Sequence, residues 1–145
     1  MIEINNLTTN QVDEEFLKKV AEKVLVEENK KGDLSIALVG QGRIRELNKK
    51  YRGKNRVTDV LAFGENAKYK IPDTEYKIQS LGEIVICLRE VKKNAKRFKS
   101  TFEKELARVL IHGISHLLGY NHEISEKEAK KMMEKEDYYL KQLFR

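Results

Sequence analysis

The sequence predicts an α+β (mixed α/β) fold, a small mixed four-stranded sheet covered by helices. Three observations carry that expectation. Short apolar runs alternate with segments whose apolar residues recur every three or four positions, so strands and helices share the chain. With 145 residues, 40% hydrophobic and 36% charged, the chain can bury a core of its own and is too rich in apolar residues for a disordered protein. Glycines and capping boxes then punctuate the segments at element ends. Residues 1–145 are expected to form a single domain.

The elements follow in order. Met1 to Leu7 places Ile2, Ile4 and Leu7 in a short edge strand. Asp13 to Glu28 is a helix with Phe16, Leu17, Val20, Ala21, Val24 and Leu25 on its apolar stripe, and Asp13, Glu14 and Glu15 suit its positive N-terminal end. Leu34 to Val39 is a strand, and Gly40 and Gly42 mark the turn after it. Arg43 to Tyr51 is a short helix turning Ile44, Leu47 and Tyr51 inward, closed by Gly53 in a left-handed conformation. Thr58 to Phe63 is a third strand, and Gly64 to Ser80, with the single proline Pro72, is a long loop. Gly82 to Leu88 carries the run Ile84-Val85-Ile86-Cys87, short enough for a buried strand. Glu90 to Phe98 is helical. Ser100-x-x-Glu103 opens a longer helix as a capping box, with Leu106, Val109, Leu110 and Leu117 inward and Gly119 at its end. Ser125-x-x-Glu128 opens a last helix that buries Met132, Met133, Leu140 and Leu143.

Composition excludes several classes. No apolar run approaches the roughly 20 residues of a membrane-spanning helix. Met1 to Asn10 lacks the basic-then-apolar order of a secretory signal. Cys87 is the only cysteine, which rules out an internal disulfide and fits a reducing compartment. A cytoplasmic protein with no membrane and no disulfide-linked partner is expected.

Charge is concentrated. Arg43 to Arg56 holds seven basic residues and one acid, Glu46, a local net of +6 that equals the net of the whole chain. Such a field suits a polyanion partner, although a basic run by itself is also what a solvated helix face presents.

The chain has three histidines, His112, His116 and His122, all within eleven residues. His112 and His116 are four apart on the predicted helix, so their rings share one face a turn apart. Two imidazole nitrogens so placed can meet one ion at about 2.0–2.1 Å. Gly119 can end the helix and turn the chain so that His122 supplies a third ligand, which puts the metal site at the end of the central helix. Three imidazoles favour zinc, with copper and nickel as the other candidates by softness, and three protein ligands leave the fourth position open for water, the catalytic pattern. The spacing also fits zinc proteases, but Gly113 stands where those enzymes place a glutamate base. That glycine leaves room beside the metal, packs the helix tightly on the sheet, or both.

The segment His112-Gly113-x-x-His116-Leu117-Leu118-Gly119-Tyr120-x-His122 resembles the signature of the YbeY family, bacterial metal-dependent endoribonucleases of rRNA maturation. The stretch from Leu47 to Leu61 is similar to the family's second motif, and Leu81-Gly82-Glu83-Ile84-Val85-Ile86-Cys87 to its Gly-acid-Ile strand. The resemblance implies one Zn2+ held by His112, His116 and His122, and single-strand-specific RNA cleavage. It further implies trimming of the 3′ end of 16S rRNA, ribosome quality control, and partners in rRNA and the small ribosomal subunit. It marks Arg52 as the catalytic arginine beside the metal. Asn121 departs from the family's usual Asp, Val57 and Gly64 from Pro, and Ser115 from an apolar residue.

The working mechanism is phosphodiester hydrolysis by zinc-activated water or hydroxide, with Arg52 clamping the phosphate through its planar guanidinium. Lys49, Lys50, Lys54 and Arg56 extend the substrate-binding track, with Lys92, Lys93, Lys96 and Arg97 as a possible widening. Tyr51 and Tyr120 are candidates for the core or for stacking a base. Glu83 is a candidate base or histidine partner. Two other functions compete: a metal-dependent peptidase or acyl hydrolase, and a non-catalytic ribosome-binding factor with a structural metal closed by a fourth protein ligand.

Overall fold

The computed structural model describes residues 1–64, 80–120 and 125–144. Its elements run β1 (Ile2–Asn6), α1 (Glu14–Glu27), β2 (Asp33–Val39), α2 (Gln41–Arg52), β3 (Val60–Gly64), β4 (Ser80–Cys87), α3 (Leu88–Arg97), α4 (Phe102–Leu117) and α5 (Glu126–Leu143). Among the described residues this is the expected α+β arrangement, five helices and one four-stranded sheet. The long loop expected between Gly64 and Ser80 lies, from 65 to 79, outside the described residues.

The sheet order is β1-β2-β4-β3, with β1 and β3 at the edges. β1 and β4 pair parallel with β2, and β3 pairs antiparallel with β4. A parallel pair needs a crossover, and α1 supplies it between β1 and β2.

Alternation along the strands decides which layer each residue joins. Leu34, Ile36, Leu38, Ile84 and Ile86 pack with buried residues of α1, α3 and α4 and with Tyr139 of α5. Ala37, Val39, Val85 and Cys87 form a second cluster with Ile44 of α2. Helices therefore cover both faces, and α4 and α2 lie on opposite ones. The free thiol of Cys87 is fully buried in the α2 layer, away from α4. Burial raises its pKa, so it stays a protonated, inert thiol at neutral pH.

Local chemistry sets the helix ends. Asp13 caps α1, its carboxylate accepting from the Phe16 amide at 3.1 Å. Gly53 ends α2 with φ +70°, and its amide donates to the Lys49 carbonyl. The cap of α4 is Thr101, whose hydroxyl accepts from the Lys104 amide at 3.1 Å, and not the expected Ser100. The Ser100 amide instead donates to the Ala95 carbonyl, so that residue belongs to the close of α3. Ser125 caps α5 as expected, accepting from the Glu128 amide.

Two inward assignments are corrected. Tyr51 is 54% exposed, its ring set edge-on against Phe63. Met133 is 63% exposed, while α5 buries Met132 and Tyr139, seven apart and so on one face. Ser115 tolerates the core because its hydroxyl donates to the Ile111 carbonyl at 2.8 Å.

Candidate functional site

The site forms where α4 crosses the β3 side of the sheet. Gly113 is buried there, and a methyl group in its place would come within 3.0 Å of Ile84 Cγ2 and 3.3 Å of Val60 Cγ2. The missing side chain lets α4 sit directly on β3 and β4. The geometry supports the packing role read for this glycine, and Gly113 also lines the cleft beside the histidines.

That cleft has a volume of about 610 Å³. His112 and His116 stand on one wall, with Arg108 one turn earlier on α4. Arg52, Lys54, Arg56 and Asp59 come from the end of α2 and the segment leading into β3. This basic segment is fixed from within: the Asn48 amide donates to the Arg56 carbonyl at 3.0 Å, and Arg45 to the Asn55 side chain at 2.9 Å. Arg52 donates to the Ala62 carbonyl at 2.6 Å, and its guanidinium lies 5.1 Å from the Phe63 ring centre. The structure thus brings the end of the basic run and the first two histidines to one cleft, although about 60 residues separate them.

The Nε2 atoms of His112 and His116 are 3.1 Å apart. Two tetrahedral ligands at 2.0–2.1 Å from one zinc ion would have nitrogens about 3.3 Å apart. The pair therefore fits two positions of a metal site. His122, the third expected ligand, lies with Asn121 outside the described residues. Among the described residues, no group of three or more His, Cys, Asp or Glu is placed to hold an ion. Gly119 has φ +99°, the turn that the sequence requires after α4.

Other candidates fall elsewhere. Lys49 and Lys50 are exposed on α2 and are not among the residues lining the cleft. Lys92, Lys93, Lys96 and Arg97 are exposed on α3, also outside its lining. Glu83 is on the α2 side of the sheet, where it lines a second cavity of about 730 Å³ with Arg43, Tyr51, Arg52 and Phe63. It does not face the histidines. The Tyr120 hydroxyl donates to Glu28 at 3.5 Å, tying the end of α4 to α1.

Three acidic residues near the cleft escaped the sequence reading. Glu105, only 3% exposed, accepts from Arg108 Nε through both carboxylate oxygens, each at 3.0 Å. These bonds raise the Arg108 pKa further and hold its charge fixed. Asp59 lies 3.8 Å from the same guanidinium and accepts from the Asn94 amide at 3.3 Å. Glu136 of α5 contacts His112 Nδ1 through a carboxylate oxygen. The i,i+3 spacing of Glu105 and Arg108 was the one available signal.

The profile of the family described as endoribonuclease YbeY matches residues 2–144. The chain belongs to the YbeY family. A protein named endoribonuclease YbeY from Sulfurihydrogenibium sp. (strain YO3AOP1) is 40% identical over 130 residues, which span 89% of this chain and 82% of the relative. One of the same name from Petrotoga mobilis is 38% identical over 144 residues, 98% of this chain and 94% of the other. Among solved structures, the solution structure of TM1509 from Thermotoga maritima matches with a TM-score of 0.67 and 35% identity, covering 99% of this chain and 89% of that one. For a YbeY-family chain, the meeting of basic segment and histidine helix in one cleft is the arrangement that needs a chemical reading.

Proposed function

We propose that this chain is a zinc-dependent, single-strand-specific endoribonuclease that trims the 3′ end of 16S rRNA and serves ribosome quality control in the cytoplasm, with the small ribosomal subunit as its partner. The observation that carries this reading is the cleft itself: two convergent histidine nitrogens 3.1 Å apart, lined also by Arg52, Lys54 and Arg56. His112, His116 and His122 would hold one Zn2+. When bound, zinc supplies a Lewis acid for a phosphate oxygen and lowers the pKa of water toward 7.

The chain's own groups do the rest. Arg52 presents a planar guanidinium to the cleft, and one of its nitrogens is anchored on Ala62, which limits how far the group can swing. It clamps the scissile phosphate and offsets charge developing on it. Lys54 and Arg56 bind flanking phosphates, and Lys49 and Lys50 continue the positive track along α2. Gly113 lines the cleft next to the histidines, and its missing side chain keeps α4 close on β3 and β4.

The test is cleavage of a 3′-extended small-subunit rRNA fragment by metal-stripped protein before and after zinc is restored. His116→Ala and Arg52→Ala are run beside the wild type, with and without small ribosomal subunits. Cleavage that returns with zinc and is lost in both variants supports the reading. Wild-type protein no better than His116→Ala under both conditions would sink it.

A further inference from the structure

We propose that Glu136 is the positioning residue of the metal site, fixing the ring and the tautomer of His112. The inference rests on the zinc reading above. An imidazole offers a metal only the nitrogen that carries no proton, and which nitrogen that is depends on what the other one meets. In His112 the two nitrogens meet different partners. Nε2 points to Nε2 of His116 at 3.1 Å, and Nδ1 faces a carboxylate oxygen of Glu136. An ionised carboxylate accepts hydrogen bonds and cannot donate them. It therefore selects the form with the proton on Nδ1 and the lone pair on Nε2, the atom aimed at the metal position.

The rest of α5 is arranged to hold that carboxylate still. Met132 and Tyr139, on either side of Glu136 in sequence, are 2% and 1% exposed. Lys135 reaches Glu28 at 3.2 Å and so ties the same turn of α5 to α1. The Glu136 side chain is itself only 13% exposed. Water competes poorly for a carboxylate in such a place, and the bond to the ring is correspondingly directional. A carboxylate behind a ligating imidazole both orients the ring and makes its free nitrogen a better donor to the metal.

The experiment compares Glu136→Ala, Glu136→Gln and the exposed control Glu134→Ala with the wild type. Zinc affinity is read by competition with a chelator, ring tautomer by 15N NMR of the metal-free protein, and folding by circular dichroism. Glu136→Ala is expected to weaken zinc binding by about 10- to 100-fold and to lose the single Nδ1-protonated signature of His112. Glu136→Gln keeps an acceptor oxygen and is expected to restore most of the tautomer preference and part of the affinity. Glu134→Ala should match the wild type. The proposal is overturned if folded Glu136→Ala binds zinc as the wild type does. It is equally overturned if Nδ1 of metal-free wild-type His112 carries no proton. If the wild type binds no zinc, the metal reading falls, and the ring spectra alone decide whether Glu136 sets the tautomer.

Discussion

Arg52 donates from its guanidinium to the carbonyl of Ala62 at 2.6 Å, which joins the last residue of α2 to the edge strand β3. The bond costs the arginine little of its usefulness, since a guanidinium has five N–H donors and needs two for a phosphate. Lysine has the charge but one nitrogen, so it cannot anchor on Ala62 and also grip a phosphate with two parallel bonds. Arg52→Lys and Arg52→Ala are both expected to cut RNA cleavage by about 10- to 100-fold, the worth of a charge-assisted hydrogen bond. Because Arg52 is exposed, thermal unfolding should shift little in either. Lysine restoring wild-type cleavage would reduce the role to simple charge.

Lys54 and Arg56 line the same cleft as Arg52, and under the proposed function they would hold RNA phosphates without regard to sequence. Each phosphate neutralised on a single strand steepens the salt dependence of binding by about 0.7 in log–log slope. Lys54→Ala/Arg56→Ala should flatten that slope by about 1.4, measured by fluorescence anisotropy with a labelled single-stranded RNA. Lys92→Ala/Lys96→Ala, on α3 and outside the cleft lining, should leave it unchanged. Equal flattening in both pairs would mean that the track runs over α3 as well.

What the sequence made legible was whatever depends on spacing within one element. His112 and His116 on one helix face, the left-handed Gly53 and the Ser125 cap are all of that kind. The four-residue run Ile84-Val85-Ile86-Cys87 was recognisable as a strand, but being apolar on both sides it carried no sign of which face α4 would take. Once α4 docks with Gly113 on Ile84, alternation sends Glu83 and Cys87 to the other layer. Glu136 was hidden for a related reason. Its partner is 24 residues away, and the rotation of α5 is set by Tyr139, which pattern alone does not rank above Met133. Contacts between elements follow from docking, and docking is a property of several faces at once.

Cys87 gives a pH-dependent prediction. Burial raises the thiol's pKa in the folded chain above its unfolded value, about 8.5. The folded state therefore holds the proton more tightly, and the associated stability is complete below the unfolded pKa. It declines as pH rises from there through the folded value. Between pH 7 and 8 the native thiol should react with Ellman's reagent far more slowly than the unfolded chain. Melting temperature should fall more steeply above pH 8.5 in the wild type than in Cys87→Ala, which has no thiol to titrate. Identical alkaline slopes in the two proteins would remove Cys87 as a contributor.

Gly113→Ala sets two effects of opposite sign against each other. Alanine in mid-helix is worth about 1 kcal/mol over glycine. Its methyl group, however, would lie 3.0 Å from Ile84 Cγ2 and 3.3 Å from Val60 Cγ2. Both neighbours are β-branched and stiff at χ1, and Ile84 is fully buried, so neither yields by turning aside. Overpacking of this kind costs about 1–3 kcal/mol, which outweighs the helical gain and leaves a net loss of about 1 kcal/mol. In a chain of this size that is a fall of about 3 °C in melting temperature. Relief comes if α4 moves away from β3, which would also widen the gap between the histidines and Arg52. Cleavage should then drop by more than the loss of folded protein explains. Gly113→Ala/Ile84→Leu, which removes the Cγ2 branch that the new methyl group would meet, tests the linkage. Recovery of stability together with cleavage places the fault in the packing, whereas recovery of stability alone means that α4 stays displaced from Arg52.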